Sequence, residues 1–195
     1  MTSRTLRQTI RQQRRALTRD AAESCAEQMA QHLFKHPLIL RSHLIAAYLA
    51  ADGEMDPAPL LELLWSAGKQ VYLPVLVPFS GNRLWFARFA PGDRLVYNRY
   101  GIPEPTSRNL IKPTALDLVL TPLVAFDRHG HRVGMGGGYY DRSFAFLRQR
   151  THWHKPRMLG IAYDMQKQDR ILSNAWDIPM DAIVTEQALY LVSGN

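Results

Sequence analysis

Residues 44–50 read LIAAYLA, a run whose one polar group is a tyrosine hydroxyl. A strand with one face in water alternates polar with apolar residues, so this run belongs to a strand covered on both faces. Such a strand sits at the centre of a parallel sheet, between layers of helix. Further short runs of this kind occur at 70–73, 84–89 (LWFARF), 116–121 (LDLVLT), 123–126, 158–163, 182–185 and 188–192.

Segments of helical period lie between them. Leu6, Ile10 and Leu17 share one face of a helix over 6–17, with Arg4, Arg7, Arg11 and Arg14 on the adjacent face. Thr18 caps a second helix that buries Ala22, Cys25, Ala26, Met29 and Leu33 and stops before Pro37. Asp56-Pro57 opens a third, closed by Gly68. Tyr140, Phe144 and Leu147 mark one face of a fourth. Residues 91–113, rich in turn formers and including GIPEP at 101–105, read as a long irregular connection, and 127–130 as a turn. Strands alternating with helices predict an α/β fold. The expected form is a single-domain three-layer α/β/α sandwich over residues 1–195, Rossmann-like, with a mostly parallel central sheet.

A chain of 195 residues is the length of one such domain. Its one cysteine, Cys25, forbids an internal disulfide and suits a reducing compartment. The N-terminus is too charged for a signal peptide, and no apolar run approaches a membrane span. A cytoplasmic protein with no membrane partner is expected. The net charge of +7 suggests nucleic acid until it is located: six arginines precede the first acid, Asp20. The basicity is therefore a local stripe. Arginine outnumbers lysine 19 to 5, which suits bidentate recognition of phosphate or carboxylate.

Glycines stand at 134, 136, 137 and 138, followed at once by Tyr139, Tyr140, Asp141 and Arg142. Such a loop can adopt positive φ and turn bare backbone N–H groups toward a ligand. A tight turn alone needs one or two glycines rather than four. The loop lacks the Gly-Lys-Ser/Thr of a Walker A motif, and its spacing is not that of a dinucleotide fingerprint. Phosphate is the expected ligand, with Arg132 and Arg142 placed to neutralise it or to pair with Asp127 or Asp141. A carboxylate beside polyphosphate repels it unless a cation intervenes, so Asp141 suggests Mg²⁺; a helix-start charge is the plainer reading. Asp164, Asp177 and Asp181 are candidates for a second carboxylate.

With AFDRHGHRVGMGGGYYDR at 125–142, the chain resembles the 5-formyltetrahydrofolate cyclo-ligase family. The arginine-rich opening helix, Glu54-Met55-Asp56, GIPEP and WDIPMDAIVT at 176–185 come in the family's order. The resemblance implies ATP-dependent closure of 5-formyltetrahydrofolate to 5,10-methenyltetrahydrofolate, with release of ADP and phosphate and with Mg²⁺ as cofactor. It implies an ATP site of Ser3, Arg4, Arg7, Arg132, Val133, Gly134, Met135, Gly136, Gly137, Gly138, Tyr139 and Tyr140. The family has lysine where Ser3 stands, with Arg4 the adjoining substitute. It further implies folate contacts at Leu49, Glu54 and Tyr139, and metal-associated carboxylates at Asp141 and Asp177. Thr121-Pro122-Leu123 is a second departure, since the family has proline then glycine there.

Other features read more plainly. His152-Trp153-His154 is a solvated loop rather than a metal pair, Trp85, Phe86 and Phe89 are spaced as core, and Cys25 is inert. A monomer binding ATP and 5-formyltetrahydrofolate, and no nucleic acid, is expected. The competing functions are a nucleic-acid module built on the arginine stripe and a different ATP-using small-molecule kinase.

Overall fold

The computed structural model describes residues 2–77, 81–98, 101–149 and 155–192, so His152, Trp153 and His154 lie outside the described residues. The chain runs α1 (Ser3–Arg15), α2 (Arg19–Phe34), α3 (Pro37–Leu40), β1 (Leu44–Ala46), α4 (Ala58–Ser66), β2 (Gln70–Leu76), β3 (Leu84–Phe89), β4 (Leu95–Tyr97), β5 (Pro103–Pro105) and β6 (Leu110–Ile111). It continues through β7 (Leu118–Pro122), β8 (Ala125–Phe126), β9 (Arg132–Val133), α5 (Tyr139–Ser143), β10 (Arg157–Ile161), β11 (Ala182–Val184) and β12 (Leu189–Leu191). One sheet has the order β12-β11-β10-β7-β1-β2-β3-β6. Its five central strands, β11 to β2, run parallel, and the strands outside them are antiparallel.

Alternation along these strands explains their unbroken apolar character. Leu118, Leu120, Leu159, Ile161, Val71 and Leu73 pack on one face with Met29 and Leu33 of α2 and Leu60 and Leu64 of α4. Their neighbours Val119, Met158 and Tyr72 pack on the other with Phe126, Phe144, Ile178 and Met180. Side chains of period two thus fill two cores from one sequence. The second layer is thinner than a run of helices: α5 and a 3₁₀ segment at 145–149 supply it, together with the 171–180 segment. The α1 helix rests on a small third cluster of Leu6, Ile10, Val124, Ala125, Val133 and Ile171.

Several expected boundaries move, each for a local reason. Pairing of the 44–50 strand ends at Ala46, apart from one bond from Ala47 N–H to Tyr72 O, and the chain then leaves the sheet to wall a cleft. The 70–73 strand runs on through Pro74 to Leu76. Tyr72 presents its polar groups toward β1; Pro74, two residues on, faces the same way beyond the end of β1, so its missing N–H breaks no ladder bond.

The 91–113 stretch holds structure that its prolines concealed. β4 pairs with β5, and β6 pairs with the edge of β3. Prolines at 103 and 105 are tolerated because this two-stranded ribbon is all edge. Buried Glu104 between them accepts from Leu76 N–H at 2.9 Å and Asn98 Nδ2 at 2.8 Å, tying the ribbon to the end of β2. The helix after the glycine loop lasts only to Ser143, because Phe144 turns fully into the second core beside Phe86 and Tyr140. Thr18 caps α2 as expected, accepting from Ala21 N–H. Gly68, at φ +69, closes α4 while Lys69 N–H reaches back to Leu64 O. No helix among the described residues is long and apolar enough to cross a membrane.

Candidate active site

β1, β2 and β7 run in parallel, and their C-terminal ends open on one side of the sheet, where ligands of open α/β folds bind. A cleft of about 1390 Å³ lies there. Ser3, Arg7, Leu49, Glu54, Arg132, Val133, Gly134, Met135, Gly136, Gly137, Gly138, Tyr139, Tyr140, Asp141 and Asp177 all line it. Of the residues that the family resemblance assigns to the site, Arg4 alone is not in the lining; it is exposed on α1, whose first residue is Ser3. The alternative second carboxylates Asp164 and Asp181 lie outside it too, engaged instead with Tyr190 and with Arg157.

The glycine loop leaves the β8–β9 hairpin and enters α5. Gly136 (φ +98) and Gly138 (φ +63) are left-handed, a conformation that side chains resist. A methyl group on Gly138 would also come 2.8 Å from Arg142 Nη1. Three of the loop's carbonyls are occupied: Gly134 O accepts from Arg7 Nε at 2.7 Å, Gly137 O from Arg142 Nη2, and Gly138 O from Arg142 N–H. Its amides are not. Among the described residues, the N–H groups of 134–138 donate no hydrogen bond. Successive amides left open beside two guanidiniums make a concavity for an anion. The five-residue α5 is too short for its dipole to contribute much.

The two arginines flanking the loop divide their work. Arg132, with its side chain 6% exposed, pairs with Asp141 at 2.6 Å and donates to Ile178 O. Ile178 N–H returns to Asp141 Oδ1 at 3.1 Å, so this pair ties the loop to the 174–178 segment. Arg142 closes the loop on itself and lies over the Tyr139 ring, 5.7 Å from its centre. Asp177 Oδ2 accepts from Asn174 N–H at 2.8 Å and shapes that segment's turn.

A further part of the lining comes from residues 48–54. Tyr48 is buried and donates from Oη to Met55 O at 2.5 Å. Ala51 N–H donates to Glu54 Oε2 at 3.1 Å while Glu54 N–H donates to Ala51 O at 3.0 Å, a closed turn that fixes the Glu54 carboxylate. Burial pushes the Glu54 carboxyl above its usual range, against the pull of Ala51 N–H and Arg14. Burial and the nearby Glu54 charge push the Tyr48 and Tyr140 hydroxyls upward too, so both stay neutral.

Other lining residues carried less signal in the sequence. Tyr48 sits inside an apolar run, Glu104 between prolines, and Trp176 is 63% exposed, which only the fold reveals. Trp85, Phe86 and Phe89 do not line the cleft. Among the described residues no group of three or more His, Cys, Asp or Glu side chains forms a metal cage.

Parallel strand ends, open loop amides and arginines gathered around one cleft are the arrangement of an α/β enzyme. The chain belongs to the 5-formyltetrahydrofolate cyclo-ligase family, whose sequence profile matches residues 1–186. It is 43% identical over 160 residues to the 5-formyltetrahydrofolate cyclo-ligase of Escherichia coli K12, covering 81% of this chain and 86% of that one. It is 39% identical over 140 residues to that of Haemophilus influenzae, covering 70% and 72%. The NMR structure of Aquifex aeolicus 5,10-methenyltetrahydrofolate synthetase superposes with a TM-score of 0.83 at 31% identity, over 100% of this chain and 95% of that one. A Mycoplasma pneumoniae 5,10-methenyltetrahydrofolate synthetase superposes with a TM-score of 0.72 at 28% identity, over 95% and 99%.

Proposed function

We propose that this protein catalyses the ATP-dependent cyclisation of 5-formyltetrahydrofolate to 5,10-methenyltetrahydrofolate, releasing ADP and phosphate. Family membership supplies the reaction; the observation that carries it to particular residues is the row of unpartnered amides at 134–138, facing a cleft shared with Glu54. The amides and Arg7 hold the triphosphate, and Leu49, Glu54 and Tyr139 hold the folate beside it. Glu54 accepts hydrogen bonds from pterin N–H groups. Tyr139 stands where the two substrates meet, steadied by Arg142.

The chemistry is phosphoryl activation of a poor leaving group. The formyl oxygen forms a bond to the γ-phosphorus as the bond to ADP breaks. N10 then attacks the formyl carbon and loses its proton, and the carbon–oxygen bond breaks to free phosphate. The protein supplies alignment and charge neutralisation.

Asp141 and Asp177 fit a magnesium ion shared with phosphate oxygens. Arg132 and Ile178 N–H occupy Asp141 Oδ1, and Asn174 occupies Asp177 Oδ2, which leaves one oxygen on each carboxylate. Magnesium is bound by one or two carboxylates together with substrate phosphates, so a protein-only cage is not required. The bound ion would spread phosphate charge during transfer.

We place the protein in the cytoplasm as a monomer and a single domain over 1–195. The reaction is tested by mixing protein, ATP, Mg²⁺ and 5-formyltetrahydrofolate and following near-ultraviolet absorbance of the conjugated methenyl product. The reading requires a rise that depends on ATP. A flat trace from folded protein refutes it, and a stable phosphorylated folate would point to a kinase.

A further inference from the structure

The α1 helix carries five arginines, Arg4, Arg7, Arg11, Arg14 and Arg15, and no acid. It buries only Ile10 and Arg14. A helix so charged depends on partners elsewhere, and beyond the small apolar cluster under Leu6 and Ile10 its arginines reach the glycine loop and Asp52. Arg7 donates to Gly134 O in the glycine loop. Arg11 and Arg15 pair with the Asp52 carboxylate, and Arg14 lies 3.6 Å from it. Arg14 also donates to Asp52 O at 2.9 Å and to Leu123 O at 3.4 Å, with its side chain fully buried.

Asp52 is therefore a hub, and an uncommon one. Its φ is +52, followed by Gly53 at +71, so two left-handed residues run directly into Glu54. Burial works against the Asp52 charge, but the Arg11 and Arg15 guanidiniums outweigh it and hold the carboxyl below its usual range. From Arg7 to Arg14 a helix rises about 10 Å, and these two residues contact Gly134 and Asp52, both of which line the cleft.

We propose that α1, through Arg7 at one end and the Arg11/Arg14/Arg15–Asp52 cluster at the other, couples the glycine loop to the Glu54 turn, so that each ligand tightens the binding of the other. Asp52 and Arg14 are positioning residues in this arrangement. An anion at the glycine loop supplies counter-charge that α1 lacks and seats the helix; the seated helix holds Asp52, and Asp52 sets the turn that presents Glu54. Linkage requires the effect to be reciprocal.

This inference rests on the functional reading above, and its test separates the two. Calorimetry measures the affinity of the full-length protein for a non-hydrolysable ATP analogue with Mg²⁺, with and without saturating 5-formyltetrahydrofolate, and then in the reverse order. Wild type is expected to show mutual tightening of at least about fivefold. Asp52→Asn keeps a residue tolerant of left-handed φ and removes the charge, and is expected to reduce the tightening below about twofold. Should that variant not fold, Arg11→Ala with Arg15→Ala, at side chains 41% and 62% exposed, asks the same question from the surface. Two ligands that bind wild type independently, or undiminished tightening in the variants, overturns the coupling and leaves the function standing. Absence of binding by either ligand to wild type overturns both.

Discussion

Arg7 donates from Nε to the carbonyl of Gly134 across 2.7 Å, and its guanidinium carbon would lie 3.8 Å from a methyl group on Gly136. One side chain thus orders the loop's outer carbonyl and places positive charge beside its open amides. Arg7→Ala removes both effects. It is expected to raise KM for ATP about tenfold or more, the worth of a charge-assisted hydrogen bond, and KM for 5-formyltetrahydrofolate much less. Steady-state kinetics with each substrate varied in turn checks this. A larger change on the folate side would assign α1 to folate binding instead.

The glycines differ in what they require. Gly138→Ala places a side chain on left-handed backbone and against Arg142, costing about 1–2 kcal/mol from the backbone alone. Gly134 has no left-handed φ and open space where a methyl group would stand. Thermal melts are expected to show a clear loss for Gly138→Ala and almost none for Gly134→Ala. Equal losses would mean the loop is not held as described.

Much of this was legible in the residues. LIAAYLA and LDLVLT announce strands covered on both faces, and the cap at Thr18 fixes the start of α2 without tertiary help. The ends of strands were less visible, because they depend on where a neighbour stops: β1 leaves the sheet at Ala46 although its sequence continues apolar to Ala50. GIPEP reads as loop, and only pairing with β4 makes it a strand. In the cleft, the glycine loop declared itself by composition. The links that assemble it were hidden, since Arg14 to Leu123 and Arg132 to Ile178 join positions far apart in the chain.

Glu54 gives a pH signature. Its carboxyl binds a proton more tightly in the folded chain than its ordinary value of 4.5 allows, so the charged form weakens the fold. Relative to Glu54→Gln, wild type should lose stability as pH rises above about 4.5 and level off once the raised folded value is passed. Melting temperatures of both proteins across pH 4 to 8 are expected to diverge in that direction, with the variant more stable near neutrality and KM for folate raised.

Asp127 gives the opposite sign. It is fully buried and accepts from the N–H groups of His129, His131 and Ile171 and from His131 Nδ1, pinning the turn that launches the glycine loop. Burial opposes its charge, but these donors prevail and hold its carboxyl below the usual range, so its contribution is lost as pH falls through that lowered value. Asp127→Ala is expected to cost about 3 kcal/mol in urea unfolding, by stranding the buried Ile171 N–H and the part-buried donors of His129 and His131.

Chelation of divalent cations is expected to stop turnover while leaving the melting temperature of the ligand-free protein unchanged. Asp177→Asn should raise the magnesium concentration needed for half-maximal rate severalfold, read from initial rates over a magnesium series.

Amide NMR of ¹⁵N-labelled protein tests the central claim most directly. Adding an ATP analogue with Mg²⁺ should shift the amide resonances of residues 134–138 as they take up hydrogen bonds, and adenosine alone should not. Saturating nucleotide that binds the protein while those five amides stay where they were would contradict the account.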